Sequence, residues 1–448
     1  MLVFCFGRYK PALRSSLGSV LLAALSTVCL FAQDYGGPSV LSRGGAAAGT
    51  RGGAPINFVY YGGISGIYTN SSLPLNEGTG LQKASFFGGS LELGLTGSHL
   101  WRRSMMGIDY RGSLRYDSYQ GVSNGSEHAL SMYFTTRPTR ATQVMISETA
   151  TTSSFAFGGY TAAAAATSEF VGVPLNDLFD SRVYSTQTSG AFAYRQSRFL
   201  TYQLFGGFFS IYRSNRSLVG VNGSEAGASI RYMPSRRISV NTSYNYTYFS
   251  FPRAYGNSAA HSVQIGLSYK PSRAWTFTGS AGGYRVESLG VQSVTLIPEI
   301  AELLGISTSI RSIYRINYGT NFSLNAIYGF KRSNFHIGYN KGLTPGNGIY
   351  LTSSLQSADV GYSYSGIRKL SLSINGSYER YDSLFQDLST YDSYQAGVSA
   401  NYVVRPHVNL MTTVDVRKFS ITAGRTQIGT MASFGVLLSP SRLPLPAW

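Results

Sequence analysis

The residues best placed to do chemistry in this chain are charges set at every second position. Asp109, Arg111, Ser113 and Arg115 share that spacing, and Asp415 with Arg417 repeats it. A spacing of two brings side chains onto one face of an extended strand. Glu92, Arg315 and Glu379 stand in similar alternating segments. A basic residue facing lipid at mid-depth would cost about 2–4 kcal/mol, so all eight are expected to point into a lumen. Opposite charges on a wet strand face can filter solutes. They can equally neutralise one another along the wall, and both readings stand open.

Other chemistry is poorly represented. Five histidines occur, at 99, 128, 261, 336 and 407, two of them in or beside tight turns. His128 beside Glu127, and His261, are placed near an outer rim, but no serine motif or acidic pair supports them, so no catalysis is expected. No close His/Asp spacing offers a metal site. No glycine loop follows a strand and opens a helix to cradle phosphate. The reading is therefore not an enzyme, with no metal and no cofactor.

What must position the charged rows is a set of long strands. Val240, Thr242, Tyr244, Tyr246 and Tyr248 alternate with Asn241, Ser243, Asn245 and Thr247. Val263, Ile265, Leu267 and Tyr269 do the same, as do Ile316 to Ala326, Leu370 to Tyr378 and Val408 to Val416. Soluble strands usually run about five or six residues, whereas a tilted strand crossing hydrocarbon needs about nine to eleven. Alternation of this length favours a membrane wall, apolar side to lipid and polar side to water. Charged residues are 13% and hydrophobic ones 43%, with Tyr (33) and Gly (51) abundant. No stretch beyond residue 32 is long enough for a spanning helix.

Basic turns punctuate the strands. Examples are Arg137-Pro-Thr-Arg140, Arg195-Gln-Ser-Arg198, Pro234-Ser-Arg-Arg237, Lys270-Pro-Ser-Arg273 and Arg405-Pro-His407. Taking Arg103, Pro138, Ser197, Arg236, Ser272, Arg332, Arg368 and Arg405 as markers, the steps are 35, 59, 39, 36, 60, 36 and 37 residues. A unit of two strands and one larger loop, twice enlarged, fits that series. The fold expected is all-β: a transmembrane antiparallel up-and-down β-barrel of about 18 strands between residues 57 and 438, with 16 as the alternative count. Tight turns face the periplasm and longer loops the outside. The basic turns then form a ring at the periplasmic mouth, read as contact with anionic headgroups or the cell-wall layer, while most acids lie in the outer loops.

Aromatics are expected at both water–lipid boundaries. Trp101, Tyr232, Trp275, Phe335 and Tyr402 are placed on the turn side, and Tyr116, Tyr212, Tyr248, Tyr364 and Tyr378 on the loop side. Two long loops, 155–182 and 289–309, are candidates to fold inward as a constriction or to cover the mouth. The second contains Ile297 to Leu304, read as a short amphipathic helix opening at Pro298.

Residues 1–32 have the layout of a cleaved signal peptide, with Arg8, Lys10 and Arg14 before an apolar stretch. Both cysteines, Cys5 and Cys29, lie within it. Its three basic residues account for part of the formal charge of +17, leaving +14 on residues 33–448. Residues 33–56 read as a flexible Gly/Ala-rich segment, and 439–448 as a C-terminal tail.

Over residues 57–438 the pattern resembles the porin-like outer-membrane β-barrel proteins of Gram-negative bacteria. The resemblance implies a cell outer-membrane location and handling by the barrel-assembly machinery. In that class the last strand usually ends the chain with an aromatic residue. Here Phe434, Val436 and Leu438 alternate, but ten residues follow them, ending in Trp448. The function expected is a water-filled pore for small hydrophilic solutes. The alternatives are a conduit for exported polysaccharide and a non-transport structural or adhesive barrel. Outer-membrane lipid is the expected partner, nucleic acid is not, and no oligomeric state is assigned.

Overall fold

The computed structural model describes residues 57–74, 81–118, 125–153, 182–215, 218–295, 308–346, 348, 351–384, 390–421 and 425–438. The leader, the Gly/Ala-rich segment and the C-terminal tail lie outside these residues. All eighteen elements among them are strands. They are β1 (Asn57–Pro74), β2 (Leu81–Leu100), β3 (Ser104–Asp117), β4 (Gly125–Thr136), β5 (Thr142–Ser153) and β6 (Val183–Arg195). Next come β7 (Leu200–Arg213), β8 (Val221–Tyr232), β9 (Ile238–Phe251), β10 (Gly256–Tyr269), β11 (Trp275–Thr295) and β12 (Thr308–Gly329). The last six are β13 (Ser333–Gly346), β14 (Leu351–Ile367), β15 (Leu370–Ser383), β16 (Tyr391–Arg405), β17 (Val408–Ile421) and β18 (Arg425–Leu438).

Every strand pairs antiparallel with its neighbours in sequence, and β1 closes on β18 from Gly62↔Leu438 to Ser71↔Gly429. The expected 18-stranded up-and-down barrel is therefore what the chain forms. Both ends of the barrel segment lie with the short turns, as the even strand count requires.

Alternation decides which way each side chain points. The registers Tyr244↔Val263 and Val263↔Gly283 carry one face around the wall, and on it Val263, Ile265 and Leu267 are 52–60% exposed. Their neighbours Ser262, Gln264 and Ser268 point into the lumen, where cross-strand hydroxyl pairs recur. Ser65–Ser90, Ser373–Ser399 and Thr413–Ser433 each stand 2.6 Å apart. Hydroxyl pairs of this kind join neighbouring strands while leaving a wettable surface.

The short turns explain the basic tetrapeptides. Ser197 Oγ accepts from the N–H of Phe199 and Leu200, Ser235 Oγ from Arg237 and Ile238, and Ser272 Oγ from Ala274 and Trp275, all at 3.1–3.2 Å. Thr139 Oγ1 does the same for Ala141 and Thr142. A hydroxyl that satisfies the turn's own amides ends one strand and starts the next, and the arginines beside it stay in water.

Aromatics gather at both rims. Trp275 lies 4.3 Å from Tyr328 and 5.1 Å from Phe277, ring centre to ring centre, on the turn side. Tyr68 and Phe87 (5.0 Å) and Tyr378 and Tyr394 (4.9 Å) do so on the loop side. Tyr364 departs from expectation. It pairs with Ser333 and Leu372, near the start of β13 and of β15, so it belongs to the turn-side girdle. The reason is direction: β14 runs toward the short turns, and its late residues are its turn-side ones.

Four strands outgrow the rest. β1 and β2 have 18 and 20 residues and β11 and β12 have 21 and 22, against 12–17 for the others. The β11–β12 ladder continues to Thr295↔Thr308. Much of the expected 289–309 loop is thus paired strand; the expected helix from Ile297 to Leu304 lies outside the described residues. So does 154–181, which holds all but the last residue of the other enlarged loop.

Lipid-facing depth gives a direct test. Ile265→Arg should lower unfolding free energy in lipid vesicles by about 2–4 kcal/mol, measured by denaturant titration. Gln264→Arg, one residue away on the wet face, should change it far less.

Candidate functional site

The lumen is crossed by a hairpin that leaves the wall. β13 pairs with β12 only from Asn334 to Lys341, against Gly329 to Phe322. Beyond that, β13 and β14 stay paired with each other, through Leu343↔Ser354 to Gly346↔Leu351, and lean inward. Leu351 packs in a buried cluster with Val183 of β6, Phe209 and Ile211 of β7, Val221 of β8, and Phe249 and Phe251 of β9. Thr352 Oγ1 stands 2.7 Å from Ser258 Oγ of β10, which stands 2.8 Å from Ser288 Oγ of β11. The Val219 N–H donates to Gly348 O at 3.0 Å. These partners lie several strands away around the wall, so the hairpin reaches them only by crossing the barrel's interior near its outer mouth.

Local chemistry permits the bend. Gly346 and Gly348 take φ of 90° and 94°, which glycine adopts without steric cost. Thr352 is fully buried with φ of 33°, a conformation a β-branched residue holds only when its surroundings impose it. Its carbonyl accepts from the Leu384 N–H at 3.1 Å, and Leu384 in turn packs on Ala260, Tyr284 and Val286. The upper ends of β14 and β15 are thereby tied to the inner face of β10 and β11.

The charged rows occupy the opposite sector. Register parity puts Glu92, Asp109, Arg111, Arg115, Arg315, Glu379, Asp415 and Arg417 on the inward face. Six of them gather on β17, β2 and β3, which flank the β18–β1 closure; Arg315 on β12 and Glu379 on β15 stand apart. Three of the six, Asp109, Arg111 and Arg115, are paired along the wall. Arg115 Nε lies 2.9 Å from Asp117 Oδ2, its Nη2 donates to Thr69 Oγ1 on β1 at 3.0 Å, and its Nη1 reaches Met431 Sδ on β18 at 3.6 Å. The guanidinium therefore lies flat across two strands rather than projecting into the channel. Arg111 Nε sits 3.5 Å from Asp109 Oδ2, and Asp109 is buried. Tyr61 lies over Gly94, where any Cβ would overlap its ring; both face inward beside Arg111. Glycine there lets an aromatic ring lie against the wall.

An apolar outer band, a polar lumen and a closed antiparallel ladder together define the setting. The chain is a closed 18-stranded antiparallel β-barrel whose outer face carries the apolar band of a membrane-spanning wall. No family model matches the sequence, and no curated protein matches it. Among solved structures, the barrel is similar to Pseudomonas aeruginosa OpdQ, with a TM-score of 0.43, 12% identity, and 86% of this chain and 98% of that one covered. It is also similar to Pseudomonas aeruginosa OccK9 (OpdG), with a TM-score of 0.42, 14% identity and coverage of 86% and 98%. A BenF-like porin from Pseudomonas fluorescens Pf-5 gives 0.42, 13%, and 86% and 99%.

Several features of this barrel escaped the reading of residues. The inward hairpin is one; its only sequence signal is the run Pro345-Gly346-Asn347-Gly348. Outward charges are another. Arg285 pairs with Glu287 on the outer face, and Tyr314 Oη donates to Glu287 at 2.6 Å. Glu148 also faces outward and accepts from Thr188. The parity of β5 and β11 was the available signal. Glu127 and His128, adjacent in sequence, point to opposite faces; His128 Nδ1 contacts Tyr110 Oη at 2.9 Å. Among the described residues no group of three or more His, Cys, Asp or Glu could hold a metal.

The buried Arg115–Asp117 pair makes a stability prediction. Asp117→Ala leaves a guanidinium without its carboxylate and should cost about 3 kcal/mol in unfolding free energy. Asp359→Ala, at a side chain 52% exposed, should cost much less in the same titration.

Proposed function

We propose that this barrel is a passive pore for small hydrophilic solutes, with its constriction between the β13–β14 hairpin and the charged β17–β3 sector. The observation that carries the reading is an inner wall lined by hydroxyls and amides, across which, among the described residues, one hairpin reaches. Barrels of 16–18 strands leave an aqueous channel, and here the hairpin narrows it from one side. Asp109, Arg111 and Arg115 line the other side as paired charges, with Asp415 and Arg417 of opposite sign beside them, so the path offers dipoles and hydroxyls more than net charge. Such a lining replaces part of a polar solute's hydration without holding it. Outer-membrane lipid surrounds the wall, and the barrel-assembly machinery inserts it.

Excising the hairpin tests this. Replacing residues 344–353 with Asn-Gly joins Leu343 to its register partner Ser354 through a two-residue turn. Single-channel conductance in planar bilayers should rise, and larger sugars should enter proteoliposomes. Unchanged conductance would remove the hairpin from the path.

A further inference from the structure

The inward turn of β13 has a second effect, on the wall itself. Among the described residues, Thr308–Asn321 of β12 pair with β11 alone, because β13 leaves after Lys341. Counted from the periplasmic turn, Ile316–Asn321 are residues nine to fourteen of the strand. That is a height at which most of the other strands, 12–17 residues long, are still within the wall. Backbone groups in hydrocarbon must be satisfied internally, so an interrupted ladder at this height marks a place where something other than hydrocarbon is admitted.

We propose that the seam between β12 and β13, above the Phe322–Lys341 pair, is a lateral portal that passes an anionic amphiphile between the lumen and the outer leaflet. Its chemistry is mixed in the way an amphiphile requires. On the lipid side, Tyr318 is 76% exposed and Ile316 41%. Behind the seam, Leu343 and Leu384 pack on the Tyr284–Val286 cluster, giving a hydrocarbon segment apolar contact on the inner side too. Polar groups stand at the seam's base. Asn321 is 8% exposed and its Oδ1 has no hydrogen-bond partner among the described residues. Lys341, in register with Phe322, places an ammonium at the outer lip. A buried unpartnered acceptor is costly unless something visits it, and a headgroup or its water satisfies it in passing. Gly342 faces Asn321 across the seam: a Cβ there would meet only Asn321 Oδ1, at an ordinary contact distance of 3.6 Å.

The portal rests on the pore reading, because the lumen must be reachable from water. The test separates the two. Gram-negative cells without their own general porins express the protein, and uptake of radiolabelled decanoate and of arabinose is followed. In Asn321→Cys/Gly342→Cys, oxidation should staple the seam, confirmed by gel mobility. Decanoate uptake should then fall to that of cells without the protein and return on reduction, with arabinose uptake unchanged throughout. Gly342→Trp fills the same gap without a disulfide and should show the same selective loss. Decanoate uptake persisting at the unmodified rate in both variants overturns the portal. Selective decanoate loss with no arabinose uptake by the unmodified protein supports the portal and removes the hydrophilic-pore reading instead.

Discussion

A backbone amide in hydrocarbon has no water to turn to, and this structure is organised around that constraint. A strand can cross only if both its edges are paired, and eighteen strands satisfy one another by closing on themselves at Gly62↔Leu438. Closure sets the side-chain rule: every residue faces lipid or lumen, and neighbours alternate. The apolar band, the hydroxyl-lined interior and the inward rows of charge are consequences of that alternation. Glycines such as Gly94 serve the same wall by leaving room for rings to lie flat against it.

The hairpin shows what closure permits. Eighteen strands enclose more space than side chains fill, so part of one hairpin can leave the wall and use the interior as a docking surface. It takes apolar contact at Leu351 and a hydroxyl chain through Thr352, Ser258 and Ser288. That contact imposes an unusual backbone on Thr352 and interrupts the β12–β13 ladder. Inward hairpin and seam are thus two sides of one displacement. A barrel whose own hairpin turns inward this way has a wall that is locally incomplete, unlike one entered by a loop from above.

Much of this was legible in the residues. The period of two over Val240–Tyr248 or Val263–Tyr269 identifies strands and their faces, because parity is a local property. Turn serines such as Ser197, Ser235 and Ser272 mark strand ends for an equally local reason. The inward path of residues 342–354 depends on Leu351 meeting Phe209 and Phe249, more than a hundred residues earlier, and no nearby pattern encodes that. Tyr364 was misplaced because girdle membership depends on strand direction as well as position. The outward Arg285–Glu287 pair was missed because Tyr314, on the neighbouring strand, helps stabilise it; cross-strand partners become visible only with the register.

The central claim is that one face of each strand meets acyl chains and the other meets water. It is tested most directly by single spin labels placed in turn along β9, from Ile238 to Phe251, in the reconstituted protein. Collision rates with oxygen and with a water-soluble nickel complex are compared at each site. The account predicts a strict two-residue oscillation, oxygen dominating at 240, 242, 244, 246 and 248 and nickel at 241, 243, 245 and 247. Equal exposure of both sets to the nickel complex, or an oscillation of the opposite phase, would contradict it.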